Sequence, residues 1–228
     1  MVTSQRSKGN LIERFNSFLV HKLTGKPKYA SVSYRYMCKS IQRELKHVDP
    51  ERAKMLALSS MPTPVFAVNL ALFLGFSLAS ELNAKVLLID SVVRQSDDTL
   101  SDKLGLNSEK GFFQLCTQAD TDALSLCQNT EVASVDVLPS GQFEFANAVI
   151  LDHRLLDLQL AALSNHYDYL IFTQGDIRED TRYMAISERV DLNLLVVEEN
   201  RSFMHDIDEL HRLFRDSELD NLKLVMTT

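Results

Sequence analysis

Residues 55–90 read MLALSSMPTPVFAVNLALFLGFSLASELNAKVLLID, and the fold turns on how they are divided. Met55–Leu58 is a short apolar run of the kind that fills a strand buried on both faces. Val65–Leu82 is too long for a strand and follows Pro64. A proline near a helix's first turn costs little, because the N–H groups there have no partner inside the helix. Within it, the apolar run Val65–Ala79, the longest in the chain, is shorter than the roughly 18–20 residues of a membrane span and contains Asn69, so it reads as a buried core helix. Lys85–Asp90 is again short and apolar. Strand, long helix, strand is the repeating unit of a parallel sheet whose faces are covered by helices.

The alternation continues downstream. Helical stretches surround Gln114 and Ala123, followed by a strand at Val135–Leu138, a helix at Val149–Ser164 and a strand at Tyr169–Phe172. Thr181–Glu188 then reads as helix, Asn193–Val197 as strand, Ser202–Arg215 as helix and Leu222–Met226 as strand. The expected class is α/β, a mostly parallel sheet with helices on both faces in a Rossmann-like three-layer arrangement. Ligands of such sheets bind beyond the carboxyl ends of the strands, which directs attention to the segments just after Leu58, Asp90, Leu138 and Phe172.

Upstream, Ser31–His47 has helical propensity and stops at Asp49-Pro50, while Lys22–Lys28, with Gly25 and Pro27, reads as a linker. Leu11, Phe15, Phe18 and Leu19 recur at the spacing of one helical face. Two parts are therefore expected: a basic amphipathic arm, 1–28, and an α/β domain, 29–228.

The net charge is −7, which speaks against a broad phosphate-neutralising nucleic-acid surface. It is unevenly placed: residues 1–28 carry Arg6, Lys8, Arg14, Lys22, Lys26 and Lys28 against Glu13 alone, so a basic arm precedes an acidic body. The arm's apolar face suits the domain's own core, a partner's groove or an anionic membrane surface. Cys38, Cys116 and Cys127 show no C-x-x-C spacing and no secretory signal precedes them, so reduced thiols in a cytoplasmic chain are expected, without disulfide or zinc. His205 and His211 lie six positions apart, too far to share a helical face as metal ligands.

Several short stretches recur in a set order. They are Tyr34-Arg35, Leu58-Ser59-Ser60, Asn69-Leu70-Ala71, Val86–Asp90 followed by Arg94, and Leu104-Gly105-Leu106 leading to Gly111. Val137–Gly141 and Tyr167-Asp168-Tyr169 complete the series. Together they resemble the cytoplasmic domain of bacterial tyrosine kinases and their polysaccharide co-polymerase partners, within the ParA/MinD-like P-loop class. The resemblance covers roughly residues 30–228 and implies a P-loop NTPase-like fold.

It also implies three stations for nucleotide and magnesium, each altered here. The family's first strand leads into a glycine-rich loop ending in Gly-Lys-Ser/Thr, which cradles phosphates. Ser59-Ser60-Met61-Pro62-Thr63-Pro64 stands in its place, without glycine or lysine and about three residues short. Two positions after Asp90 the family has a second aspartate; this chain has Val92, although Asp90 and Arg94 match. A lone carboxylate such as Asp90 at a strand end reads as a helix cap or a surface ion-pair partner. The third aspartate, after the strand at 169–172, is replaced by Thr173, and Gln174-Gly175-Asp176 reads as a turn. A relocated lysine would have to be Lys54 or Lys85, which strand geometry keeps away from the crevice.

The expectation is a degenerate site, with Ser60, Thr63, Pro64, Asp90, Val92, Arg94 and Thr173 as its remnants, no cofactor, no metal and no phosphoryl transfer. The family's Glu-x-x-Arg-x-x-Arg assembly pattern falls on Val32, Arg35 and Cys38, and its C-terminal tyrosine cluster has no counterpart before Thr228. What the resemblance leaves is a scaffold or regulator in exopolysaccharide or capsule export at the inner membrane. Its partner would be a membrane co-polymerase or an active kinase, met through Leu11, Phe15, Phe18, Leu19 and Arg35. The alternative is a ParA/MinD-like positioning protein for a polar or secretory machine.

Overall fold

A computed structural model describes residues 30–61, 64–92, 98–142, 151–198 and 203–227. Leu11, Phe15, Phe18, Leu19, Thr63 and Arg94 lie outside the described residues, and Arg35 is described only through its backbone. The chain runs through α1 (Ala30–Glu44), a 3-10 turn, β1 (Lys54–Met61), α2 (Val65–Leu82), β2 (Val86–Asp90), α3 (Leu100–Leu104), α4 (Phe112–Leu115) and α5 (Ala123–Leu126). It continues with β3 (Gln128–Asn129), β4 (Val135–Leu138), α6 (His153–Ser164), β5 (Tyr169–Gln174), α7 (Thr181–Ser187), β6 (Leu192–Glu198), α8 (Met204–Asp216) and β7 (Leu222–Thr227).

The strands form one sheet in the order β3-β4-β2-β5-β1-β6-β7, parallel throughout except for β3 against β4. β1 lies between β5 and β6, with Leu58 opposite Thr173 on one side and Leu194 on the other. Successive side chains of a strand face opposite ways, and the two faces feed two cores. Leu56, Leu58, Leu88, Ile171 and Val196 pack with Cys38, Ile41, Leu70, Leu74 and Leu78 of α1 and α2. Ala57, Leu87, Ile89, Leu170 and Phe172 pack with Phe112, Leu156, Leu160, Ile186, Leu210 and Phe214 of the helices opposite. Each fully buried Leu or Phe of this kind contributes about 1.5–3 kcal/mol of transfer free energy.

α2 reaches 18 residues and is apolar enough to cross a membrane by composition, but most of it is buried between the sheet and α1. A Cβ on Gly75 would stand 2.8 Å from Leu88 Cδ2, so the missing side chain lets α2 lie close against β2. Asn83 closes the helix in the left-handed region at φ 54°, its N–H donating to Leu78 O.

The structure departs from the sequence expectation in identifiable places. β1 and β5 run past Leu58 and Phe172, because Ser59, Ser60, Thr173 and Gln174 are polar yet buried, and Ser59 pairs in register with Gln174. α6 runs His153–Ser164, within the expected helix, because Asp152 caps it, accepting from Arg154 N at 2.9 Å and Leu155 N at 3.3 Å. α3 is an addition to the expected elements; Thr99 and Asp102 form a reciprocal capping box at its start. So is β3, whose two residues carry no alternation to read.

Candidate functional site

β1 delivers Ser60 to the carboxyl rim of the sheet, and α2 starts five positions later. Ser60 is fully buried, and its Oγ accepts from Ala67 N at 3.2 Å, in the first turn of α2. Pro64, at the N-cap with φ −70° and ψ −8°, has no N–H, and its carbonyl accepts from Val68 N at 2.9 Å. A donor of the kind that faces phosphate in a glycine-rich loop is thus taken up by the chain itself.

The second station is a buried node. Asp90 has no exposed surface. Its Oδ2 accepts from Ser101 N at 2.9 Å and Ser101 Oγ at 2.5 Å, and its Oδ1 from Val92 N at 3.2 Å. Burial pushes the carboxyl above its usual range, and the hydrogen bonds from Ser101 and Val92 pull the other way. Asp90 therefore does serve a helix start, that of α3, as one of its two sequence readings had it. The other reading, a surface ion pair, does not suit a carboxylate with no exposed surface. Val92 is buried beside it. Ser101 Oγ also accepts from Ser140 N at 3.4 Å, which carries the node across to the segment after β4.

Thr173 lies inside β5. Its Oγ1 donates to Ile89 O at 3.3 Å, and its carbonyl accepts from Ser91 N at 3.1 Å and Ser91 Oγ at 2.8 Å. β2 and β5 are thereby stitched together at the point where the resemblance would place a metal-facing carboxylate. Gln174 is a buried strand residue whose Nε2 donates to Tyr183 O at 3.0 Å. The turn expected at Gln174–Asp176 is displaced to Asp176–Glu179, where Glu179 N donates to Asp176 O at 3.0 Å.

Pro139-Ser140-Gly141, one of the markers of resemblance, seats α4. Phe112 N donates to Pro139 O at 2.8 Å and Phe113 N to Ser140 O at 3.0 Å. Gly141 has φ 82°, and a Cβ there would fall 1.8 Å from Gln114 Oε1. A Cβ on Gly111 would fall 2.0 Å from Pro139 O. Glycine at both positions is a packing requirement of this seat.

Lys54 and Lys85 stand at the amino ends of their strands, opposite the rim; Lys54 Nζ lies 5.4 Å from the centroid of the Tyr169 ring. The lysine brought against α2 is Lys103 of α3, whose Nζ donates to Asn69 Oδ1 at 2.7 Å. Burial pulls its pKa down, and Asp98 opposes that. Neither Lys103 nor Ser101 stands out in the sequence, because their partners lie 34 and 11 positions away. The capping pattern Thr99-x-x-Asp102 is the one local signal available.

Cys38, at one of the three assembly positions, is turned into the core, and burial pushes its thiol to about 12. Among the described residues no group of three or more His, Cys, Asp or Glu side chains is placed to hold a metal. Asp206 and Glu209 instead meet Arg178, which also pairs with Asp176; the contacts are 2.6, 3.0 and 2.6 Å.

No protein-family model matches the chain, and no curated protein matches it in sequence. Solved structures do match in fold. The kinase domain of the Escherichia coli tyrosine kinase ETK aligns with a TM-score of 0.75 at 15% identity, over 92% of this chain and 79% of that one. The BceF tyrosine kinase domain gives 0.69 at 18% identity, over 97% and 88%. The Aquifex aeolicus MinC:MinD cell division complex gives 0.61 at 21% identity, over 76% and 68%. These are the two groups the sequence pattern resembles, and the fold is theirs: a mostly parallel, P-loop NTPase-like α/β sheet.

Proposed function

We propose that this chain is a non-catalytic relative of the bacterial tyrosine kinase domains, acting by binding within exopolysaccharide or capsule biosynthesis and export at the inner membrane. One observation carries the reading: at each of the three stations a described side chain is buried and engaged with the chain's own groups, Ser60 with Ala67, Asp90 with Ser101 and Val92, and Thr173 with Ile89. Phosphoryl transfer needs preorganised donors and cations aimed at the transferring group, and hydrogen bonds already closed within the chain supply none. What the domain then contributes is surface. The partner is the cytoplasmic end of a membrane co-polymerase or an active kinase, engaged through the basic arm at Leu11, Phe15, Phe18 and Leu19 together with Arg35.

Isothermal titration with ATP and magnesium tests the first half of this proposal. No heat and no turnover at millimolar nucleotide are expected, whereas micromolar binding with magnesium-dependent hydrolysis overturns it. Deleting residues 1–28 tests the second half, with altered polymer length as the expected result. Loss of polar or membrane foci with unchanged polymer would instead favour a ParA/MinD-like positioning protein, a reading supported by the MinD likeness, though over a smaller share of the chain.

A further inference from the structure

The two edges of the sheet are built differently. β3 closes one edge with Gln128 and Asn129, two polar residues antiparallel to β4. β7 closes the other with six residues, parallel-paired to β6 from Asn193↔Leu222 to Glu198↔Thr227. Among the described residues, no strand takes the outer side of β7.

The side chains of β7 alternate. Val225 is buried in the core shared with α1 and α2, and Leu222 packs on the opposite face with Ile207 and Leu213 of α8. By the two-residue period Leu224 and Met226 share the face of Leu222, and they are 55% and 72% exposed. Phe203 and Met204, which open α8 just beyond β6, are 73% and 71% exposed. Two of the eight large apolar side chains exposed among the described residues are thus neighbours on one face of this edge strand, and two more open the helix that leads to it.

Edge strands that stay single are usually short or interrupted by charge, proline or a bulge. β7 carries one charge, Lys223, and that charge is paired with Glu44 of α1 at 3.4 Å. On α8, just after Phe203 and Met204, Asp206 and Glu209 are held by Arg178.

We propose that β7 is where a second copy of this chain docks, the two strands pairing antiparallel across a two-fold axis through Leu224 so that the two sheets become one. Such an axis, normal to the sheet, matches the faces of both copies only when it passes through a residue, because neighbouring residues point to opposite faces. Through Leu224 it sets Leu222 against the other copy's Met226 and Leu224 against its own equivalent, and each Lys223 opposes Val225. Through Lys223 it would set two ammonium groups face to face. The chain's own basic arm is a poorer occupant for a strand edge, since Leu11, Phe15, Phe18 and Leu19 recur at a helical spacing and an edge is read with a period of two.

The test is sedimentation of the full chain from about 1 to about 100 µM, with a monomer–dimer equilibrium expected and at least a tenfold weakening by Leu224→Lys, which sets two cations on the axis. Met226→Glu is a second, independent variant, and Leu158→Lys, at an exposed leucine elsewhere, is the control that leaves association unchanged. Circular dichroism unchanged by Leu224→Lys shows that the fold is kept. A chain that remains monomeric at about 100 µM overturns the proposal. So does a dimer indifferent to Leu224→Lys and Met226→Glu but abolished by deleting residues 1–28. Neither result bears on ATP binding or polymer length, so this proposal and the functional reading fail separately.

Discussion

The carboxyl rim over β1, β2 and β5 and the outer edge at β7 are contrasting solutions to the same problem, the end of a sheet. At the rim Ser60, Asp90, Ser91 and Thr173 have no exposed surface, and their hydrogen bonds close within the chain. At β7 apolar side chains face solvent beside backbone groups that no described strand pairs. Polar groups are withdrawn where a small ligand would be expected, and apolar groups are presented where another strand could be received. Substitutions at the rim should therefore be felt in stability, and those at the edge in association.

The largest effect is expected at the seat of α4. Gly111→Ala drives a Cβ into a backbone carbonyl that cannot swing aside, and should cost about 3 kcal/mol in urea unfolding. Asp90→Asn comes next. Its amide must turn one N–H₂ towards a backbone N–H or the Ser101 donors, leaving a buried group unpaired at about 2 kcal/mol. This difference should depend on pH. Burial raises Asp90's folded-state pKa above the unfolded value near 3.8, so the folded chain holds the proton longer. The resulting stability is full below that value and is lost as pH rises through the folded pKa. The gap between the wild-type and Asn midpoints should accordingly narrow from acid towards neutral pH. Ser60→Ala, which uncaps Ala67 N, should cost about 1 kcal/mol. Smallest of all, Leu224→Lys should shift the monomer's unfolding by less than about 0.5 kcal/mol, because its side chain is exposed. If the order reverses, with Leu224 costly and Ser60 silent, the contrast between rim and edge is lost.

The frame is legible in sequence because it is written in local terms. Val86–Asp90 is a continuous apolar run, Val65–Leu82 is too long for a strand, and α8 alternates at helical spacing. What sequence does not yield is written in distant terms. Ser59, Ser60, Thr173 and Gln174 look like loop residues by composition, yet they extend β1 and β5 because strands more than a hundred positions apart supply their hydrogen bonds. The substituted stations at Ser60, Val92 and Thr173 are visible as departures from a pattern. Their replacement contacts, Ser101 on Asp90 and Lys103 on Asn69, are not, since nothing adjacent in sequence announces them. Thr99 and Asp102 do carry a helix-start signal, easily passed over because α3 is only five residues long.

The central position of β1 has a consequence during synthesis. Its neighbours in the sheet begin at Tyr169, opposite Lys54, and at Leu192, opposite Leu56. A ribosome adding about 5–20 residues per second leaves β1 and the apolar α2 without flanking strands for on the order of 10 s. Throughout that interval the most hydrophobic stretch of the nascent chain is complete but has no sheet to lie on. Yield in cells should depend on whatever shields that helix until β5 and β6 emerge, more than on the stability of the finished fold.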